Sequence, residues 1–414
     1  MVTSIKCSPA TNDYASGCKY AGSIGVRCGG GGVMTVVQKL GRLDRIILTR
    51  LGRLWRRWVN RPQPVSGLPD GLPWLVVDKV CRELLGSPLQ KAAHVHLSGW
   101  KQAGAFRVYV RAVNGRSHSL IYKNAIYTES HIPALADFPV CPGLPEFLAY
   151  SSETLQPYIP AVYLAQELVP GHHYRYLLED LGRWYEPLSR NQARQLRRRY
   201  RWVLQAVSAL PKVHERLFWW AGAVGESSLI RYDQAFADAL TVYIWTNLTE
   251  YLEHVPETAV SVLMDNWITL ARLLIADEFH DPARLQPIHG DFHVTNIYIQ
   301  RRVPFFFKLI DWEWAGIGLP HTDLATLLNR APVSVEQDAL AVYAAQNTAV
   351  SLAQHRRLYE WCQLERGLMD IAFLARQQLY GTRPVTWIPA YIHQSALRVQ
   401  RAVNYLTGGA PLAI

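Results

Sequence analysis

Residues 288–299 read Ile-His-Gly-Asp-Phe-His-Val-Thr-Asn-Ile-Tyr-Ile, with Asp291 five residues ahead of Asn296 in a polar loop. An apolar stretch at 305–314 follows, reads as a strand, and carries Asp311. Hard oxygen donors such as Asn296 and Asp311 suit Mg²⁺, an ion commonly shared with substrate phosphates. Asp291 is then left to orient or deprotonate a hydroxyl, which is how kinases divide the work of phosphoryl transfer. His289 and His293 also stand four apart. On a helix that spacing could hold zinc, but Gly290 and the flanking strand pattern place them in a loop. No Gly-x-x-x-x-Gly-Lys-Ser/Thr segment occurs, so a P-loop fold is not supported.

These residues need a second element to bring phosphate-binding charge to them. Residues 105–113 alternate as a half-buried strand does, Asn114-Gly115 is a hairpin signal, and 119–123 reads as the returning strand. His94-Val95-His96-Leu97 reads as the strand before, joined by a flexible loop at 98–104. Lys123 ends an apolar strand and is either an edge charge or a buried ammonium with a partner. Glu146, in a helix-like stretch at 145–150, could be that partner, and Glu153 lies further on. Tyr176-Leu177-Leu178-Glu179-Asp180-Leu181-Gly182 reads as an apolar strand running into a turn.

Taken in this order, the segments resemble the aminoglycoside phosphotransferase and choline kinase-like family. His289-Gly290-Asp291-Phe292-His293-Val294-Thr295-Asn296 is similar to its His-Gly-Asp-x-x-x-x-Asn loop, and Ile310-Asp311-Trp312-Glu313 to its Ile-Asp-[Trp/Phe] metal motif. Leu177 to Gly182 resembles its hinge, and Thr322-Asp323-Leu324-Ala325 its Tyr-Asp-Leu-Ala stretch. The resemblance spans about residues 90 to 330. It implies an α+β, two-lobed protein-kinase-like fold, with a small antiparallel β-sheet N-lobe (67–181) and a mostly helical C-lobe (182–414). It implies ATP and Mg²⁺ as cofactors, with transfer of the γ-phosphoryl group to a hydroxyl of a small molecule. Asp291 would be the catalytic aspartate, and Asn296 and Asp311 the metal ligands. Lys123, paired with Glu146, would contact the phosphates. The backbone of Glu179 and Leu181 would meet the adenine edge. Asp323 would brace the loop, His289 would be structural, and Trp312 and Trp314 would pack behind the metal or face the substrate.

The acceptor pocket is expected among the helices after the metal motif. There, residues 331–380 hold only Glu336, Asp338, Glu360, Glu365 and Asp370 as acids. A polycationic aminoglycoside would favour a denser acidic rim, so an amino alcohol, a sugar or a natural product fits equally well. Trp219-Trp220 and Trp361 with Tyr359 read as core, with a cage for a quaternary ammonium as the alternative. Two other readings differ in kind: a non-catalytic kinase-like scaffold, and nucleotidyl transfer in the same cleft.

Composition narrows the classes further. The 414 residues are 49% hydrophobic and 18% charged, which excludes a disordered chain. The net charge of +10 is local, because residues 1–66 hold eleven of the 43 Lys and Arg but two of the 33 Asp and Glu. The rest is nearly neutral, so nucleic acid is not an expected partner. Six cysteines without a C-x-x-C pair and no apolar secretory core indicate a cytoplasmic protein. Residues 1–33 read as a disordered tail or a mis-assigned start, since four glycines precede Met34 and every glycine codon begins with two guanines. Residues 34–60 read as a basic amphipathic helix, with linker to 66, that packs on the protein or makes peripheral membrane contact.

Overall fold

The computed structural model describes residues 63–97, 104–127, 143–188, 196–255, 258–300, 306–329, 331–381 and 386–409. The tail at 1–33, the basic segment at 34–60 and nearly all of the loop at 98–104 lie outside them.

The N-terminal part is an antiparallel sheet of β1 (Val65–Ser66), β2 (Leu89–Leu97), β3 (Gly104–Ala112), β4 (Ser117–Ile126), β5 (Val162–Val169) and β6 (His173–Glu179), in the spatial order β1-β2-β3-β4-β6-β5. Val65–Ser66, in the stretch read as linker, is thus one of the two edge strands. The hairpin falls at Asn114-Gly115: Gly115 takes φ +82°, a value that costs glycine nothing, and the Asn114 side chain accepts from Arg116 N at 3.1 Å. Side chains alternate across a strand. Leu120 and Tyr122 of β4 therefore enter one core with Val77, Val80 and Cys81 of helix α1 (Trp74–Leu85). Lys123 points to the other face, where helix α2 (Gly143–Tyr150) lies and Tyr174 and Tyr176 are buried. Burying these apolar side chains supplies about 1.5–3 kcal/mol each.

Beyond β6 the chain is mostly helical: α3 (Leu196–Val224), α4 (Gln234–His254), α5 (Thr258–Asp265), α6 (Trp267–Leu274), α7 (His321–Leu327), α8 (Val333–Gln346), α9 (Leu352–Tyr380) and α10 (Ile388–Leu406). Two short sheets carry the polar loops. One is β7 (Tyr185–Pro187), β10 (Ile297–Gln300) and β11 (Phe307–Leu309); the other is β8 (Ile230–Arg231), β9 (Gln286–Ile288) and β12 (Gly316–Gly318).

Some expectations need correction. Of the strand expected at 305–314, only Phe307–Leu309 pairs. Asp311 takes φ +66°, which ends the extended run. Trp220 is buried but Trp219 is 61% exposed, because neighbours on α3 point about 100° apart. Trp361 and Tyr359 are buried, and Trp361 Nε1 donates to Leu273 O at 2.8 Å, so these rings are core and not a cage. His173 Nε2 contacts Asn124 Oδ1 at 2.7 Å, while the exposed His172 ring lies 3.4 Å from Tyr127 O. His94 and His96 both pack edge-to-face with Phe106.

Candidate active site

The β10–β11 hairpin assembles the polar residues of the second motif. Ile297 pairs with Leu309, so the residue before one strand and those after the other meet at one end. Ile310 N donates to Asn296 O at 3.1 Å, which ties the loop carrying Asn296 to the segment carrying Asp311. Asn296 Nδ2 donates to Asp291 Oδ2 at 2.8 Å and to Asp291 O at 3.1 Å. Its amide nitrogen is thereby committed to Asp291, and its Oδ1 is turned elsewhere.

The loop is held from below by a buried carboxylate. Asp323 on α7 accepts from His289 N at 2.9 Å and from Gly290 N at 2.8 Å, and pairs with His214 Nε2 at 3.0 Å. Burial pushes its pKa up, but the His214 contact and the backbone donor outweigh that, and the net shift is downward. Burial lowers the pKa of His289, whose ring packs 4.4 Å from that of Trp312. Gly290 takes φ +76°, and a Cβ there would fall 1.8 Å from Trp314 O. Only glycine fits, because backbone passes directly over it. Tyr232 OH donates to that same Trp314 carbonyl at 2.6 Å.

Lys123 reaches this region from the sheet, and the geometry settles its character. It is a half-buried ammonium whose Nζ lies 2.7 and 2.6 Å from the two oxygens of the fully buried Glu146. Glu153, the other carboxylate that the sequence offered, is not its partner. Nζ also lies 3.1 Å from Glu313 and 3.7 Å from Asp311. Burial opposes the charge, the attraction of Glu146 and Asp311 exceeds it, and the lysine pKa stands raised. Tyr127 OH adds bonds to Glu146 at 3.2 Å and to Glu313 at 2.9 Å. Glu313 was visible in the motif but carried no assigned role. Its signal was the i, i+2 spacing from Asp311, which can put two side chains on one side.

Glu179 ends β6, and Leu181 opens a 3₁₀ turn capped by the Asp180 side chain at Gly182 N, 3.0 Å away. Arg107 on β3 fixes that cap through Asp180 Oδ2 at 2.7 Å. The structure thus brings Lys123, Glu146 and Asp311 into one cluster, and Asp291 and Asn296 into another that the hairpin joins to it. Glu179 and Leu181 stand at the strand-to-turn passage.

The donor set fits a hard divalent cation. Carboxylate oxygens of Glu146, Asp311 and Glu313 lie within 4.8 Å of one another, and the Asn296 amide offers an oxygen that accepts only a long bond, from Thr295 Oγ1 at 3.4 Å, among the described residues.

The antiparallel sheet and helical body define a protein-kinase-like fold. A spectinomycin phosphotransferase solved with ADP and spectinomycin matches with a TM-score of 0.52 and 13% identity, over 81% of this chain and 100% of that one. A microcompartment-associated aminopropanol kinase matches with a TM-score of 0.52 and 15% identity, over 81% and 99%. At such identities the likeness is one of fold. No curated protein matches the chain. Residues 134–361, more than half of the chain, match the phosphotransferase enzyme family, to which the chain belongs. It is a small-molecule phosphotransferase. Among the described residues no helix is long and apolar enough to cross a membrane.

Proposed function

We propose that the protein transfers the γ-phosphoryl group of ATP to a hydroxyl of a small molecule. The observation that carries this reading is the single assembly of Lys123, Glu146 and Asp311 beside the Asp291–Asn296 loop, from two stretches of chain about 145 residues or more apart in sequence. Asp291 faces the acceptor hydroxyl, orients it and accepts its proton as the oxygen attacks. Asn296 and Asp311 are the residues that would hold Mg²⁺, with Glu313 beside them; the ion would neutralise phosphate charge. Lys123 binds phosphate oxygens of ATP, and Glu146 sets its position. The adenine edge meets the backbone of Glu179 and Leu181, on a turn stiffened by Arg107 and Asp180. Asp323 and His214 hold the loop so that Asp291 needs little reorganisation during transfer.

The test is mass spectrometry of products from an ATP-consumption screen over aminoglycosides, amino alcohols, sugars and hydroxy acids. A gain of one phosphoryl group on the acceptor is expected, and a gain of AMP would replace this reading by nucleotidyl transfer. Asp291→Ala should lower turnover by at least 10²-fold, within the range ordinarily supplied by a general base. Unchanged turnover would remove Asp291 from its role.

A further inference from the structure

Arg366 lies in the middle of α9, only 6% exposed. Its guanidinium stands 5.6 Å from the ring of Tyr232, the residue that bonds the Trp314 carbonyl above Gly290. Asp291, Glu365 and Asp370 are within electrostatic range. Burial works against the charge, and Tyr232 and these carboxylates outweigh it, so the group stays protonated. Nη1 has only Met369 Sδ, at 3.9 Å. Nε and Nη2 are buried and make no well-aligned hydrogen bond, although the Tyr232 hydroxyl interacts with the guanidinium. Those two N–H groups lie on one edge of the planar guanidinium, the edge that receives a carboxylate through two parallel bonds. A buried charged donor left unmade is costly, so a partner is expected there.

On the reading that Asp291 faces an acceptor hydroxyl, we propose that the acceptor carries a carboxylate that docks on the Nε/Nη2 edge of Arg366. The substrate class is then a small hydroxylated monocarboxylate. The fork grips the acid at one end, and its hydroxyl reaches Asp291 at the other. The charges nearby favour a single negative charge over a phosphate dianion, because one arginine must serve among three carboxylates. Of the acids on α8 and α9, Glu336 is paired with Arg401 at 2.7 Å and Glu360 with Arg356 at 2.9 Å, so neither is left to line an acidic rim. Arg366 is a binding and specificity residue in this scheme, and the chemical step stays with Asp291.

The test has two arms on the full chain. In the binding arm, the unfolding temperature is followed against sodium glycolate and against sodium chloride at equal ionic strength. Glycolate should protect the wild type beyond chloride, and that protection should vanish in Arg366→Met and persist in part in Arg366→Lys. No excess protection of the wild type overturns the proposal, as does protection that survives in Arg366→Met. In the turnover arm, D-glycerate, L-homoserine and L-threonine are each compared with their carboxamides. The acid should be preferred in kcat/KM by 10²-fold or more, with the loss in Arg366→Met falling on acceptor KM and leaving the KM for ATP unchanged. Should Arg366→Met not fold, Arg366→Lys carries the same comparison with a smaller preference. Phosphorylation of neutral or cationic acceptors at rates indifferent to Arg366 defeats the carboxylate site and leaves phosphoryl transfer standing. No transfer to any acceptor by nucleotide-binding protein defeats the parent reading, and the acceptor assignment falls with it.

Discussion

Asp323→Asn exchanges a carboxylate oxygen for an amide nitrogen beneath the loop that carries Asp291. In the wild type the two oxygens accept from two backbone N–H groups, of His289 and Gly290, and one of them also meets His214. The amide keeps one acceptor and points a donor at the other backbone N–H. One buried N–H is then orphaned, at about 1–3 kcal/mol. The surviving bonds lose charge assistance, at roughly 1 kcal/mol each. A total of about 3–5 kcal/mol is expected, a large share of the ~5–15 kcal/mol that stabilises an ordinary domain. Asp291 sits two residues beyond His289, so a small shift of the loop should also lower kcat by about 10²-fold. Urea unfolding followed by tryptophan fluorescence reads the first effect, and steady-state turnover the second. The pH dependence has a definite sign. The folded pKa of Asp323 is lowered from 3.8, so its contribution is complete above about pH 4 and disappears as the pH falls through the folded value. The stability gap between wild type and variant should be constant from pH 5 to 8 and narrow below pH 4. A gap under about 1 kcal/mol at pH 7, or one that widens in acid, would refute the assignment of Asp323 as the brace.

Three further outcomes follow from the same geometry. Gly290→Ala should cost about 3 kcal/mol or more in urea unfolding, since φ +76° and a backbone oxygen 1.8 Å from the new Cβ leave no relief. Lys123→Met should raise the KM for ATP and lower stability by about 3–5 kcal/mol, because three carboxylates lose their shared cation; adding Glu313→Gln should recover part of the stability and none of the ATP affinity. His321 is buried against His355 at 2.9 Å, and burial and that neighbour lower its pKa to about 3. The unfolded chain therefore binds the extra proton between about pH 3 and 6.5, and stability should rise with pH across that window by up to about 4–5 kcal/mol. His321→Asn should flatten that slope in urea titrations.

The sheet and the polar loops were legible because their signals are local. Alternation, an Asn-Gly turn and a His-Gly-Asp loop each act within a few residues. The lost part of the strand at 305–314 was not legible, since hydrophobicity continues through Trp312 and Trp314 while the backbone at Asp311 turns to φ +66°. Tertiary packing keeps the residues apolar after the ladder ends. Asp323 could be marked as a brace from its motif, but His214, its partner, stands 109 residues earlier on α3 with no pattern that points to it. Arg366 is unreadable for the same reason. It is one of four arginines on α9, and it becomes informative only when the fold buries its guanidinium beside Tyr232.

The contact between Lys123 and Glu313 joins residues 190 positions apart. Closing so long a loop carries an entropic cost that grows slowly with length, but it must be met before the contact yields anything. This ammonium–carboxylate cluster is therefore among the least local parts of the chain. During synthesis the first lobe can emerge and pair its strands while Asp291, Asp311 and Glu313 are still unmade. No shortened chain ending before residue 313 contains a complete ammonium–carboxylate cluster. A partly folded molecule would accordingly be unable to spend nucleotide, and phosphotransfer activity should return last in refolding, after sheet and helix signals have recovered.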